Sequence, residues 1–249
     1  MASPIAARDR LIVALDLPEA EQAAALVQRL GPAVSFYKIG LELVMAGGLD
    51  LARRLKQAGK QVFLDMKLLD IENTVERATR TAAGTGADFL TVHATDSKTL
   101  RAAVAGKAGT ALRILGVTVL TNLDAADVAE QGIAETPAGL VVRRARLACA
   151  AGCDGIVASG LEAAAIRRAV GAKAALVTPG IRAPGGGAGD QTRIATPHSA
   201  IANGADYLVV GRPIVQAADP VAAATAFVSA IEQALAAHGG AAGGGQSAV

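Results

Sequence analysis

The chain alternates between short aliphatic runs and longer Ala-rich segments in which apolar residues recur at helical spacing. The runs are apolar almost throughout, which is typical of parallel strands that are covered by helices on the outside. Eight such runs predict eight strands: Leu11–Asp16, Val34–Gly40, Gln61–Lys67, Asp88–His93, Leu112–Val119, Asp154–Ser159, Ala174–Pro179 and Asp206–Gly211.

A helix is predicted after each run, because the intervening segments are Ala-rich and several begin near Ser, Asp or Pro or end in Gly. The predicted helices are Glu19–Leu30, Leu49–Ala58, Asn73–Thr85, Ser97–Gly106, Gly139–Ala151, Leu161–Val170, Pro197–Gly204 and Asp219–Ala237. Eight strand-then-helix units favour a closed (β/α)₈ TIM barrel, an α/β fold, over the alternative of an open doubly wound sheet.

No shift in composition marks a second domain, so residues 1–238 are predicted to form one barrel. The Gly/Ala-rich residues 239–249 have no apolar periodicity and are expected to be a disordered tail. Only four Phe and two Tyr are present, which predicts a core of Ala, Val, Leu and Ile.

Charge and hydropathy argue against two classes of function, nucleic-acid binding and membrane insertion. With 24 basic and 22 acidic residues the net charge is +2, which argues against a nucleic-acid binder. No apolar run reaches the ~18 residues that cross a bilayer, and the first ten residues lack the apolar stretch of a signal peptide. We therefore expect a cytoplasmic protein without membrane contact, in which Cys149 and Cys153 are reduced and structural.

Charged residues stand at the carboxyl ends of several predicted strands, where the chemistry of such barrels takes place. They are Asp16, Lys38, Asp65 and Lys67. Strand alternation puts Asp65 and Lys67 on one face, with Asp16 grouped with Ile12 and Ala14, and Lys38 with Val34 and Phe36. A purely structural ion pair is the alternative, but such pairs stabilise poorly once desolvation is counted. His93 also ends a run, and we expect a core histidine there rather than a lining residue.

A second group of residues predicts a phosphate site after the seventh and eighth strands, which is the usual position in this fold. The glycines of segment 185–189 let backbone amides approach an anion, and Arg182 offers a planar fork for phosphate oxygens. Arg212 follows the eighth run, and Pro213 fits the start of a helix whose amides face the anion. A merely flexible glycine loop is the alternative.

These residues resemble a known family. Asp65-Met66-Lys67-Leu68-Leu69-Asp70-Ile71-Glu72-Asn73-Thr74-Val75 is similar to the D-x-K-x-x-D-I-P-N-T-V signature of orotidine 5′-monophosphate decarboxylases. The resemblance extends from Leu11 to about Asp219 and includes Lys38, the Gly189-Asp190-Gln191 loop and Val210-Gly211-Arg212-Pro213. Glu72 stands where the family pattern has Pro. The D-x-K-x-x-D core alone is shared with sugar-phosphate decarboxylases of the same superfamily.

The resemblance implies a cofactor-free and metal-free enzyme that converts orotidine 5′-monophosphate into uridine 5′-monophosphate. It implies that Lys67 is the proton donor to the pyrimidine C6 carbon and that Asp65 lies near the departing carboxylate. It also implies a homodimer in which Asp70 comes from the neighbouring subunit to the ribose.

The remaining substrate contacts are implied by the same resemblance. Asp16, Lys38 and Thr74 would serve the ribose side, and Thr121 would help bind the base. Gln191 would bridge base and phosphate, while Arg182, Gly211 and Arg212 would hold the phosphate.

Two other functions stay open at this point. A metal-dependent sugar-phosphate decarboxylase or synthase resembles the chain at the third strand, but typically carries an acidic metal ligand where Lys38 stands. A non-catalytic barrel that binds a phosphorylated ligand would need the phosphate site but not the Asp65/Lys67 pair. Neighbouring carboxylates should keep Lys67 in the ammonium form, which suits an acid and disfavours a Schiff-base lysine.

Overall fold

A computed structural model describes residues 5–182 and 195–242 and shows a closed barrel of eight parallel strands in sequence order. The first strand pairs with the eighth, so the sheet has no edge. The strands are β1 (Leu11–Ala14), β2 (Phe36–Gly40), β3 (Gln61–Leu68), β4 (Phe89–His93), β5 (Arg113–Val117), β6 (Gly155–Val157), β7 (Ala175–Thr178) and β8 (Tyr207–Val210). The prediction of a (β/α)₈ barrel is confirmed, and each strand lies within or one residue beyond a predicted run.

All eight predicted helices form, with boundary shifts of a few residues. The described residues also contain four further short α-helices and one 3₁₀ turn, Gly31–Ala33. The helices are α1 (Ala7–Arg10), α2 (Ala20–Leu30), α3 (Leu41–Leu43), α4 (Leu49–Gln57), α5 (Glu72–Ala83), α6 (Ser97–Gly106), α7 (Ala125–Glu130), α8 (Pro137–Ala150), α9 (Ala163–Val170), α10 (Pro197–Ala202), α11 (Arg212–Val215) and α12 (Pro220–Ala242). The unpredicted α1, α3, α7 and α11 are too short to show helical periodicity. A π-helical turn, Val44–Gly48, joins α3 to α4.

The interior of the barrel corrects the expectation of a wholly aliphatic core. Four of the six aromatic residues meet there: Phe36, Phe63, Phe89 and Tyr207. Their ring centroids lie 5.1 to 5.9 Å apart, mostly in the edge-to-face arrangement that aromatic rings prefer. Because three of these residues begin their strands, the rings fill the amino-terminal half of the barrel, and the interior opens at the carboxyl end.

Strand alternation holds for most of the inward side chains. Ile12, Ala14 and Phe36 belong to the interior cluster, as predicted, whereas Met66 packs against the aliphatic layer between strands and helices. Val34, which was expected to point inward, lies in the outer layer instead. It precedes the first residue of β2, so the alternation of that strand does not apply to it.

The amino-terminal end of the barrel is fastened by a repeated Gly-x-Asp sequence before β4, β6 and β8. The aspartates are Asp88, Asp154 and Asp206, and each follows a glycine with positive φ by two residues. Each carboxylate accepts a hydrogen bond from a backbone amide of the preceding strand. It also pairs with Lys56, Lys107 or Arg167, which lies in or directly after the helix that leads into that same strand. These contacts therefore stabilise the amino-terminal end of the barrel.

The last helix differs in length and in apolar character from the segment expected there. Residues 220–238 of α12 are long and apolar enough to cross a membrane by length and composition, although no such segment was expected. A buried stripe of Ala224, Phe227 and Ile231 packs this helix onto the barrel, next to α10 and α2. The helix runs on to Ala242, past the predicted end of the domain. Residues 243–249 lie outside the described residues, and the disordered tail stays a prediction.

We predict that Asp154→Asn lowers the free energy of unfolding by about 1–3 kcal/mol, because the carboxylate serves the Ile114 amide at 2.7 Å and the Lys107 ammonium at 2.6 Å. Urea denaturation measures this change. Asp50→Asn is the matched control, since Asp50 is exposed and pairs with Arg53 on the surface, and it should cost less than about 0.5 kcal/mol. Equal losses in the two variants would contradict this role of Asp154.

Candidate active site

One pocket opens at the carboxyl end of the barrel, above the aromatic rings. Its floor includes Phe63 and its wall carries four charged side chains from three neighbouring strand ends: Asp16, Lys38, Asp65 and Lys67. Arg182 and Arg212 line the same pocket after β7 and β8. The predicted convergence of charge at this end is therefore present in the structure.

The four charges form a chain of alternating sign. The Lys38 Nζ atom lies 3.0 Å from Asp16 Oδ1 and 3.4 Å from Asp65 Oδ2. The Lys67 Nζ atom lies 2.9 Å from the same Asp65 Oδ2 atom. One oxygen of Asp65 therefore faces both lysines. The Asp65 and Lys38 side chains are only 13% and 11% exposed, so water screens their interaction weakly.

Burial and ion pairing shift the pKa values of Lys38 and Asp65 in opposite directions. Burial alone would lower the pKa of Lys38, but the carboxylates of Asp65 and Asp16 outweigh it and raise that pKa above its ordinary value. Burial would likewise raise the pKa of Asp65, but the ammonium groups of Lys38 and Lys67 hold it below its ordinary value. Both residues are therefore charged at neutral pH.

A local irregularity in β3 accompanies this charge chain. Leu64 pairs with Leu90 of β4, and Leu68 pairs with Val92, so three residues of β3 lie opposite one residue of β4. Lys67 has a φ of 49°, and it is the non-glycine residue with positive φ in the described part of the chain. Such a conformation is costly for a residue with a side chain and is found preferentially at functional sites.

Two arginines line the pocket after β7 and β8, where the sequence predicts a phosphate site. Arg182 is buried, and its guanidinium donates to the Ile181 carbonyl at 3.0 Å. Helix α11 begins at Arg212, directly after Gly211, and Pro213 lies in its first turn. The glycine loop 185–189 and Gln191, both predicted to contribute, lie outside the described residues.

Comparison with known proteins assigns the family. The family model described as orotidine 5′-phosphate decarboxylase / HUMPS family matches residues 9–227. The chain belongs to this family. It is 56% identical over 231 residues to the orotidine 5′-phosphate decarboxylase of Rhodopseudomonas palustris strain BisA53, which spans 93% of this chain and 98% of that protein. The corresponding protein of Bradyrhizobium sp. strain BTAi1 is 56% identical over 236 residues, 95% and 97% of the two chains.

Solved structures agree with this assignment. The crystal structure of orotidine 5′-phosphate decarboxylase from Lactobacillus acidophilus matches with a TM-score of 0.79 and 37% identity, covering 89% of this chain and 98% of that one. The enzyme of that name from Pyrococcus horikoshii matches with a TM-score of 0.72 and 28% identity, covering 89% and 99%.

The structure brings together most of the site residues expected for the family. Asp16, Lys38, Asp65, Lys67, Thr121, Arg182, Gly211 and Arg212 all line the pocket. Asp70 and Thr74 do not line the pocket of their own chain and are exposed. The Asp70 carboxylate accepts a hydrogen bond from the Ile71 amide at 2.6 Å.

Glu72, at the position where the family pattern has Pro, is the first residue of α5 and is exposed. Both residue types suit this position, because the first helical turn tolerates Pro and favours negative charge. The substitution is therefore compatible with an unchanged helix start.

Sequence reasoning missed two buried polar residues beside the pocket. Thr91 of β4 contacts both Asp65 and Lys67, and Arg144 of α8 donates to the Thr118 carbonyl at 2.7 Å. A threonine in an apolar strand and an arginine in an amphipathic helix carry no signal of their own. Only the register of β3 against β4 reveals the position of Thr91.

The residues that were expected to be structural, Cys149, Cys153 and His93, do not take part in the chain of alternating charges. Burial raises the pKa of Cys153 to about 12 and also raises the pKa of Cys149, so both are thiols. Among residues 5–182 and 195–242, no cluster of three or more His, Cys, Asp or Glu could hold a metal ion. His93 is partly buried at the end of β4 and does not line the pocket. Burial, Lys67 and Arg144 together lower its pKa, and Asp65 opposes them.

We predict that His93 makes the fold less stable as the pH falls. Its pKa is lower in the folded chain than in the unfolded chain, so the unfolded state binds the proton more readily below about pH 6.5. Urea denaturation at pH 7.5 and at about pH 5.5 should therefore show a smaller loss of stability in His93→Gln than in the wild type. An identical pH dependence in both proteins would contradict the prediction.

Proposed function

We propose that this protein decarboxylates orotidine 5′-monophosphate to uridine 5′-monophosphate in pyrimidine biosynthesis, without a cofactor, and that Lys67 is the proton donor. The observation that carries the proposal is the contact of Lys67 with the buried Asp65 carboxylate, in a pocket whose other end holds two arginines. Membership of the decarboxylase family supports the same substrate.

The reaction requires a cation at the reacting carbon. When the bond from C6 to the carboxyl group breaks, carbon dioxide leaves and the electron pair stays in an sp² orbital that the ring does not delocalise. A preorganised ammonium group at C6 stabilises this pair as it develops. Lys67 then transfers a proton to C6, forms the C–H bond of the product, and regains a proton from solvent.

One charge pair does not supply the whole rate acceleration. At ~4 Å and an effective dielectric of about 20, an ion pair contributes on the order of 4 kcal/mol. Asp65 adds to this effect if the substrate carboxylate binds beside it, because the repulsion between the two carboxylates is relieved as carbon dioxide departs. Asp65 remains ionised for this purpose, since Lys38 and Lys67 hold its pKa below the ordinary value.

Phosphate binding supplies a remote source of binding energy. Arg182, Gly211 and Arg212 would hold the phosphate at the opposite side of the pocket from β3. Binding energy that is remote from the reacting carbon can be used to orient and desolvate the base over Lys67. We further propose that Thr121 helps to bind the base, that Gln191 bridges base and phosphate, and that Asp16, Lys38 and Thr74 serve the ribose side.

A homodimer would complete the site. Asp70 lies between two exposed apolar residues, Leu69 at 56% and Ile71 at 73% exposure, and Met45 is 83% exposed. Neighbouring exposed apolar side chains, such as Leu69 and Ile71 on either side of Asp70, are expected at an interface when they form a contiguous patch. We propose that a second copy covers them, that each subunit places Asp70 in its partner's pocket near the ribose, and that Thr74 belongs to the same contact surface.

Because the proposed substrate is a soluble nucleotide, we also propose that the enzyme is cytoplasmic.

We predict that Lys67→Ala lowers turnover of orotidine 5′-monophosphate by about 10³-fold or more, while binding of uridine 5′-monophosphate stays measurable. An absorbance assay measures turnover and calorimetry measures binding. Lys98→Ala, which removes an exposed lysine of α6, is the control and should leave both unchanged.

The same assay separates the proposed function from the alternatives. Near-normal turnover in Lys67→Ala would remove Lys67 from its role. Loss of wild-type turnover after addition of a chelator would favour a metal-dependent reaction, and binding without turnover in the wild type would favour a non-catalytic barrel.

We also predict that two inactive variants restore activity when they are mixed. In a heterodimer of Lys67→Ala and Asp70→Ala, one site contains both native residues, so random reassembly should give roughly a quarter of wild-type activity. A mixture of Lys67→Ala with Asp65→Ala is the control and should stay inactive, because these two residues belong to the same pocket. Absence of recovery in the first mixture would contradict a shared site.

A further inference from the structure

The bulge in β3 interrupts the regular hydrogen bonding between β3 and β4. Asp65 and Lys67 both point to the barrel interior, and both lie opposite the single residue of β4 between Leu90 and Val92. That residue is Thr91, which is fully buried. The regular ladder is interrupted here, so the Lys67 amide requires a partner other than a β4 carbonyl.

The Thr91 hydroxyl provides a hydrogen-bond partner for the Lys67 amide and also contacts Asp65. Its Oγ1 atom accepts a hydrogen bond from the Lys67 amide at 2.9 Å and donates one to Asp65 Oδ1, also at 2.9 Å. A hydroxyl has one proton and two lone pairs, and a backbone amide can only donate. The amide therefore occupies a lone pair, and the hydroxyl proton is directed to the carboxylate.

This contact fixes how the two carboxylate oxygens are used. Oδ1 is held by Thr91, and Oδ2 is left facing the Lys38 and Lys67 ammonium groups at 3.4 and 2.9 Å. A partial rotation of the carboxylate about the Cβ–Cγ bond would move Oδ1 away from Thr91 and break this contact. The same hydroxyl thus holds the backbone of Lys67 and orients the ion-pair partner of its side chain.

We propose that Thr91 is a positioning residue that sets the orientation of Asp65 and stabilises the strained backbone of Lys67. Its effect on turnover rests on the proposed function, because Thr91 acts through two residues that are assigned to catalysis there. It does not line the pocket, so its removal should reduce the catalytic step more than nucleotide binding.

Three substitutions distinguish the effect of losing the Thr91 hydrogen bonds from the effect of losing side-chain volume. Thr91→Val keeps the shape and removes both hydrogen bonds, whereas Thr91→Ser keeps the hydroxyl and removes a methyl group. Thr79→Val is the matched control, because Thr79 is equally buried and its hydroxyl has no hydrogen-bond partner within the described part of the chain. Urea denaturation verifies that each variant is folded.

The kinetic arm of the experiment measures kcat for orotidine 5′-monophosphate and the dissociation constant of uridine 5′-monophosphate. Thr91→Val should lower kcat on the order of ten- to a hundredfold, with little change in binding, since a hydrogen bond to a charged group is lost. Thr91→Ser should recover most of the lost kcat, and Thr79→Val should match the wild type. An unchanged kcat in Thr91→Val, or an equal loss in Thr91→Ser, would overturn the proposal.

A spectroscopic arm does not depend on activity. Carbon-13 NMR of aspartate-labelled protein follows the titration of the Asp65 carboxyl group. The Thr91 hydroxyl is one of the groups that lower its pKa, so Thr91→Val should raise that pKa and Thr91→Ser should restore it. The same pKa in all three proteins would contradict the proposal. An inactive wild type would instead reject the proposed function, while the titration still decides the role of Thr91.

Discussion

The buried Asp65 carboxylate is the group on which the rest of the site depends. It holds Lys38 and Lys67 through one oxygen and Thr91 through the other. A buried carboxylate is costly unless it is paired and hydrogen-bonded, and here the two ammonium groups overcome the cost and keep it ionised. The outcome is a fixed ammonium group beside a fixed negative charge, which is the arrangement that the proposed decarboxylation requires.

The two ends of the barrel have different tasks. At the amino-terminal end, aromatic rings fill the interior, and the three Gly-x-Asp aspartates connect the alternate strands β3, β5 and β7 to basic residues in or directly after the helices that precede them. At the carboxyl end, charged side chains and a strained backbone residue meet around an open pocket. The packed and hydrogen-bonded amino-terminal end helps to offset the cost of unfavourable groups at the carboxyl end, such as Lys67 with its positive φ.

Much of this arrangement could be predicted from the sequence, and the rest depends on tertiary register. The apolar runs predict the eight strands, and alternation along β3 predicts that Asp65 and Lys67 share the interior face. Short helices such as α11 have too few residues to show periodicity. The role of Thr91 arises because three residues of β3 lie opposite one of β4, and a single sequence carries no signal of that pairing. Asp70 and Thr74 are exposed and do not line the pocket of their own chain, so their proposed contacts with the ribose would require a partner subunit.

We propose that the Lys67 ammonium group faces the carbon that loses its carboxyl group while the arginines hold the phosphate. A crystal structure of the protein with a bound uridine 5′-monophosphate analogue tests this directly. We expect the Lys67 Nζ atom within about 3–3.5 Å of the pyrimidine C6 carbon, with Arg182 and Arg212 on the phosphate. A Lys67 side chain turned away from the pyrimidine, or a phosphate bound away from both arginines, would contradict it.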